Sequence, residues 1–147
     1  MEFVIGACIF EEKKANSMKI EHMAINVADP MAMADWYEKN LGLVVVKKME
    51  EPPHMIFLAD DSGKVMIEIY RNTKASNLDF PSLDPLQLHL AFVSADPAAD
   101  ADRLRAAGAS AVSDDTLPDG SRLIMLRDPW GLALQLVKRA KHLLPNP

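Results

Sequence analysis

The chain carries the same segment twice. His22-Met23-Ala24-Ile25-Asn26-Val27-Ala28-Asp29-Pro30 aligns without a gap on His89-Leu90-Ala91-Phe92-Val93-Ser94-Ala95-Asp96-Pro97, an offset of 67 residues. The same offset of 67 carries Glu68 onto Gln135. A duplicated segment is expected to fold the same way twice. Each copy then presents a His early and a Glu or Gln late, in strand-like runs. A polar side chain buried unpaired in such a strand costs about 1–3 kcal/mol, so four of them at matched places call for a common partner. The repeat points to His22, Glu68, His89 and Gln135 converging on one metal ion.

The local signals repeat with it. In the first half, 19–27 reads as a strand. Asp29 serves as a helix N-cap, with Pro30 in the first turn. Met33, Trp36, Tyr37 and Leu41 recur at helical spacing, and Gly42 stops the helix. Strands follow at 43–48, 55–59 and 65–70, the last two joined by a turn at Asp60-Asp61-Ser62-Gly63. The second half runs strand 86–94, a helix capped by Asp96-Pro97 and stopped near Gly108, then strands 111–113, 122–127 and 132–138. Each half is β-α-β-β-β. The expected class is α+β: two tandem modules, 18–71 and 86–139, joined by a turn-rich linker at 72–85 and forming a half-open mixed β-barrel around a cleft. Neither half buries its apolar faces alone, so 18–139 is expected to be one domain. Residues 1–17 read as an extension or leader and 140–147 as a tail.

Alternation along strands sorts the side chains. His22, Ala24 and Asn26 share one face, opposite Met23, Ile25 and Val27. Met66, Glu68 and Tyr70 oppose Val65, Ile67 and Ile69. His89, Ala91 and Val93 oppose Leu88, Leu90 and Phe92, and Gln135 opposes Leu134 and Leu136. One face of each sheet is aliphatic and suited to a helix; the other carries the polar residue. Two imidazoles, a carboxylate and an amide oxygen form a mixed N/O set that suits one divalent ion: Zn, Ni, Co, Fe or Mn.

Composition narrows the rest. A chain of 147 residues with 49% hydrophobic and 25% charged residues is an ordinary globular mix. The net charge of −5, with no basic run, gives no reason to expect nucleic-acid binding. No apolar run reaches the roughly 20 residues of a membrane-spanning helix, so no membrane partner is expected. The one cysteine, Cys8, leaves no intrachain disulfide and fits a cytoplasmic setting.

Paired βαβββ modules with His-Glu and His-Gln at equivalent strand positions resemble the vicinal oxygen chelate superfamily, which includes glyoxalase I, methylmalonyl-CoA epimerase, extradiol dioxygenases and bleomycin-resistance proteins. The stretches Asn26-Val27-Ala28-Asp29-Pro30, Trp36-Tyr37-Glu38-Lys39-Asn40-Leu41-Gly42-Leu43 and Arg127-Asp128-Pro129-Trp130-Gly131 carry the likeness. The resemblance implies that His22, Glu68, His89 and Gln135 are the metal ligands of a homodimer acting on a small oxygen-rich molecule, chelated through two oxygens. One departure matters. Several of these enzymes carry Glu at the last ligand position, and an amide such as Gln135 cannot abstract a proton. Glu68 is then the one catalytic base among the four, in isomerase or lyase chemistry through an enolate. Two alternatives remain: an iron-dependent dioxygenase using His22, His89 and Glu68 as a facial triad, and a metal-free drug-sequestering protein.

Four further residues are candidates for substrate binding. Arg71 and Arg122 could clamp an anionic group, although both also read as solvated surface arginines. Tyr70 shares a face with Glu68. Trp130, at a hairpin tip, could cover a pocket or bury in a seam.

Overall fold

The structure, a computed structural model, describes residues 16–144. Nearly all of the expected leader therefore lies outside the described residues. The element order is β1 (His22–Asn26), α1 (Pro30–Leu41), β2 (Val44–Lys48), β3 (Ile56–Ala59) and β4 (Met66–Tyr70), a 3-10 turn at Phe80–Ser82, then β5 (Leu90–Val93), α2 (Pro97–Ala106), β6 (Ser110–Thr116), β7 (Arg122–Arg127) and β8 (Ala133–Lys138).

Both helices start by the same device. The Asp29 carboxylate accepts the Ala32 N–H at 3.0 Å, and that of Asp96 accepts the Ala99 N–H at 3.2 Å. Each satisfies one of the donors a helix start leaves open, and the following proline needs no partner for its nitrogen. Gly42 ends α1 in the left-handed region at φ 70, a conformation that disfavours a side chain.

Each module forms one four-stranded mixed sheet. The orders are β1-β4-β3-β2 and β5-β8-β7-β6. In each, the first strand runs parallel to the fourth and the other pairings are antiparallel. A register shift recurs in both second strands, between Val45 and Lys47 and between Ala111 and Ser113. The duplication thus extends to a bulge that increases local twist.

The helix-bearing faces meet. Ile25, Ile56, Leu58 and Ile69 pack with Met33 and Tyr37 of α1, and this cluster includes Leu132 of the second module. Ile124, Leu126 and Leu136 pack with Ala101 and Leu104 of α2. Trp36, Leu41 and Phe92 touch both clusters. The two modules therefore share one continuous core, and their sheets do not close into a barrel.

A buried polar tie crosses that core. The Tyr37 hydroxyl donates to Asp128 at 2.8 Å, and the other Asp128 oxygen accepts the Trp130 and Leu132 N–H groups, each at 2.9 Å. Burial, and secondarily the facing Asp128, push the Tyr37 phenol well above its ordinary value. Burial also raises the Asp128 carboxyl, although the donors around it pull the other way. The linker is docked as well. Arg127 donates to the carbonyls of Phe80, Leu83 and Gly131 at 2.7–2.9 Å, and Phe80 is buried.

Three strands differ from the sequence expectation by more than one residue at a boundary. The strand expected at 86–94 begins only at Leu90, because Asp84-Pro85-Leu86-Gln87 closes a turn. There the Gln87 N–H donates to the Asp84 carbonyl at 2.9 Å and the Leu86 N–H to the Asp84 carboxylate at 2.8 Å. Leu86 is 85% exposed as a result. The strand expected at 111–113 extends over Ser110–Thr116. It lies at the outer edge of its sheet, where a polar, exposed strand needs only the backbone ladder with β7. β1 is shorter than 19–27, although the Glu21 carbonyl still accepts the Met66 N–H at 2.8 Å.

Candidate functional site

β1 and β4 bring the first two candidate ligands together. Parallel pairing sets Ala24 opposite Glu68 and His22 opposite Met66, so His22 and Glu68 emerge on one face. His22 Nε2 lies 3.3 Å from Glu68 Oε2. The imidazole is one-third exposed, whereas the carboxylate is largely covered at 14%. Phe57, opposite Glu68 on β3, stands edge-on to the His22 ring at a centroid distance of 5.6 Å.

In the second module the other pair is placed by the same strand logic. Ala91 of β5 is opposite Gln135 of β8, and His89 precedes β5 by one residue. His89 Nδ1 lies 2.8 Å from the Pro85 carbonyl oxygen. A carbonyl only accepts, so Nδ1 carries a proton, and Nε2 is the nitrogen left to meet a metal. His22 is held alike, with Nδ1 at 2.7 Å from Glu21 Oε2. The His22 ring thus lies between two carboxylates, Glu21 at Nδ1 and Glu68 at Nε2. Imidazole nitrogen and carboxylate oxygen are donor types that hold divalent ions, so the pair fits such an ion.

Convergence of all four within one chain is not what the structure shows. Among the described residues, no group of three or more His, Cys, Asp or Glu side chains could hold a metal. The cause lies in the packing. The helix-bearing faces share the core, so alternation turns the faces bearing Glu68 and Gln135 away from it. A cleft of about 830 Å³ between the modules, lined by residues including Met23, Ile67, Phe92 and Leu104, includes none of the four candidate ligands.

The four further candidates separate. Tyr70 shares the Glu68 face, is partly buried and is opposite Asn26. Arg71 follows it, exposed, with its backbone N–H on the Pro53 carbonyl at 2.7 Å. Arg122 is engaged elsewhere: its fork is occupied by both oxygens of Asp114 at 2.7 and 2.9 Å, and alternation sets it on the face opposite Gln135. Trp130 stands edge-on to Trp36 of α1 at 6.4 Å, in the seam between the modules. Three neighbours were not singled out from the sequence. Glu21 precedes His22 directly, and Pro85 lies four residues before His89. Phe57 was accessible through the 60–63 hairpin, whose register brings it opposite Glu68.

Among the described residues no helix is long and apolar enough to cross a membrane. Comparison with curated proteins returns no match. Solved structures share the fold at low identity. An antibiotic binding protein, TnmS3, from Streptomyces sp. CB03234 is 19% identical with a TM-score of 0.64, covering 84% of this chain and 97% of that one. Lactoylglutathione lyase from Agrobacterium tumefaciens is 22% identical with a TM-score of 0.62, covering 84% and 95%. A mutant glyoxalase I from Zea mays is 19% identical with a TM-score of 0.65, covering 84% of this chain and 46% of that longer one. The family model described as Glyoxalase/Bleomycin resistance protein/Dioxygenase superfamily matches residues 19–136. The duplicated βαβββ architecture and this match over most of its length make the chain a member of that superfamily.

Proposed function

We propose that this protein is a divalent-metal-dependent lyase or isomerase whose metal centre forms between two copies of the chain. His22 and Glu68 of one copy would meet His89 and Gln135 of the other. The observation that carries this reading is the His22–Glu68 pair, brought to one face with Nε2 and Oε2 3.3 Å apart. Two open sheets with outward donor faces supply complementary halves, and an isologous dimer would bring each first module onto a second module twice.

Bound there, the ion would supply Lewis acidity toward a substrate chelating it through two oxygens. The protein's own contribution is proton handling. Glu68 is the one carboxylate among the four proposed ligands, and it would take a proton from the carbon beside the chelating oxygens and return it. Its partial cover keeps bulk water from competing for that proton. Phe57, Met66 and Tyr70, all partly buried on the same face, would accommodate an apolar portion of the substrate.

The test is metal analysis of protein purified without chelator, paired with sedimentation. The proposal expects about one ion per chain in a dimer. A metal-free protein that still binds aromatic drug-like molecules would favour the second reading, a sequestering protein, which the fold similarity to an antibiotic binding protein supports.

A further inference from the structure

The duplication builds the two ends of the seam between the modules alike. Trp36 Nε1 donates to the Ala107 carbonyl at 2.8 Å. Arg103, which matches Trp36 at the 67-residue offset, donates through Nη1 to the Asn40 carbonyl at 2.7 Å. Asn40 and Ala107 are related by the same offset. At one end aromatic side chains fill the space. Trp130 stands edge-on to Trp36, the Tyr37 hydroxyl donates to the buried Asp128, and Leu132 in the same cluster is 1% exposed. At the other end the offset puts Gly63 for Trp130, Leu104 for Tyr37, Asp61 for Asp128 and Val65 for Leu132. Both rings are thus replaced by smaller residues. Asp61 is exposed, and Val65 is 44% exposed. The cleft of about 830 Å³ opens here, with Asp61, Val65, Arg103 and Leu104 in its lining.

We propose that this cleft is a second ligand site, separate from the metal centre, that takes a one- or two-ring aromatic molecule carrying an amine. Its volume lies within the range of small-molecule pockets, about 300–1,000 Å³. Leu43, Ile67, Phe92 and Leu104 give it apolar walls. A planar ring between them takes the place of the side chains that close the other end, and removes from water the apolar surface that Val65 leaves exposed. The rim sets the charge. Among the lining residues Asp60, Asp61 and Asp100 face one cation, Arg103, whose guanidinium already donates to Asp100 at 3.0 Å. The excess of carboxylates favours an ammonium over an anion. An ammonium donating to Asp61 repeats, in charged form, the contact that Tyr37 makes with Asp128. None of the four proposed metal ligands lines this cleft, so the site stands or falls apart from the metal centre.

The probes are tryptamine and indole-3-propionate, the same ring system with opposite charges. Each is titrated calorimetrically into wild type, Asp61→Asn and Val65→Trp, with and without EDTA, and ¹H–¹³C methyl spectra locate the bound molecule. Tryptamine should bind wild type in both buffers and shift the methyl signals of Leu43, Ile67 and Leu104. Asp61→Asn should weaken it about 2–5-fold, the size of an exposed ion pair. Indole-3-propionate should bind about 2–30-fold more weakly than tryptamine, because reversing the sign exchanges an attraction for a repulsion of similar size. Val65→Trp, which puts an indole into the cleft from an exposed position, should abolish binding while circular dichroism stays unchanged. Absent tryptamine shifts at these methyls, equal binding of the two probes, or undiminished binding in Val65→Trp would each overturn the site. Binding lost on adding EDTA would place the amine at the metal centre and overturn it as well.

Discussion

Replacing Tyr37 with Phe removes one oxygen from a fully buried side-chain hydrogen bond. Tyr37 is fully buried, and its hydroxyl is the side-chain donor to Asp128, itself 3% exposed. The phenol and the two N–H groups of Trp130 and Leu132 all donate to this one carboxyl. Three donors and no acceptor favour the carboxylate, so the lost contact is a hydrogen bond to a charged group, contributing about 1.5–3 kcal/mol. The ring remains, so no large cavity forms. For a domain of this size each kcal/mol lowers Tm by about 2–4 °C, giving a fall of about 3–12 °C. The assay is urea unfolding with linear extrapolation, which separates a change in midpoint from a change in slope. Pairing Tyr37→Phe with Asp128→Asn in a double-mutant cycle isolates the coupling. A loss below about 0.5 kcal/mol with no coupling would refute the argument, since ordinary surface substitutions do no more.

Asp128 also sets a pH dependence. Its carboxyl is raised in the folded state by burial, so the native chain holds a proton that the unfolded chain has released. Stability should therefore decline as pH rises from the ordinary Asp range through the raised value, and Asp128→Asn should flatten that segment of the pH–stability curve. Gly131→Ala would place a Cβ 2.6 Å from Pro81 Cγ and 2.9 Å from its backbone nitrogen, at a φ of 91. It should cost about 1–3 kcal/mol and loosen the linker, read as faster amide exchange around Phe80. Glu68→Gln should lower turnover about 10²–10⁴-fold while much of the metal stays bound; full activity would remove Glu68 from the chemistry. Oxygen uptake with catechols after anaerobic Fe(II) loading would instead indicate the dioxygenase alternative.

The architecture was legible because its signals are local and doubled. Asp29-Pro30 and Asp96-Pro97 mark both helix starts, and β7 matches its expected span residue for residue. What failed to show was set by contacts distant in sequence. β6 holds Ser113, Asp114, Asp115 and Thr116, a run with no apolar alternation, and only its ladder with β7 makes it a strand. The turn before His89 depends on hydrogen bonds between Asp84 and Gln87 within a segment otherwise suited to extension. The candidate site shows the same divide. A period of two assigns His22 and Glu68 to one face correctly. It does not say which faces meet, and here Trp36, Leu41 and Phe92 join the helix sides. Arg122 and Trp130 looked available because Asp114 and Trp36, their partners, lie 8 and 94 residues away in the chain.

A mixed dimer tests the shared centre most directly. His22→Ala and His89→Ala chains carrying different tags are co-expressed, and the heterodimer is isolated and titrated with Zn(II). Each variant alone should lose both sites. In the heterodimer one site combines both lesions and the other has none, so about one ion per dimer should bind with wild-type affinity. A heterodimer that binds no ion, beside a wild type that binds one per chain, would contradict a centre built from two chains.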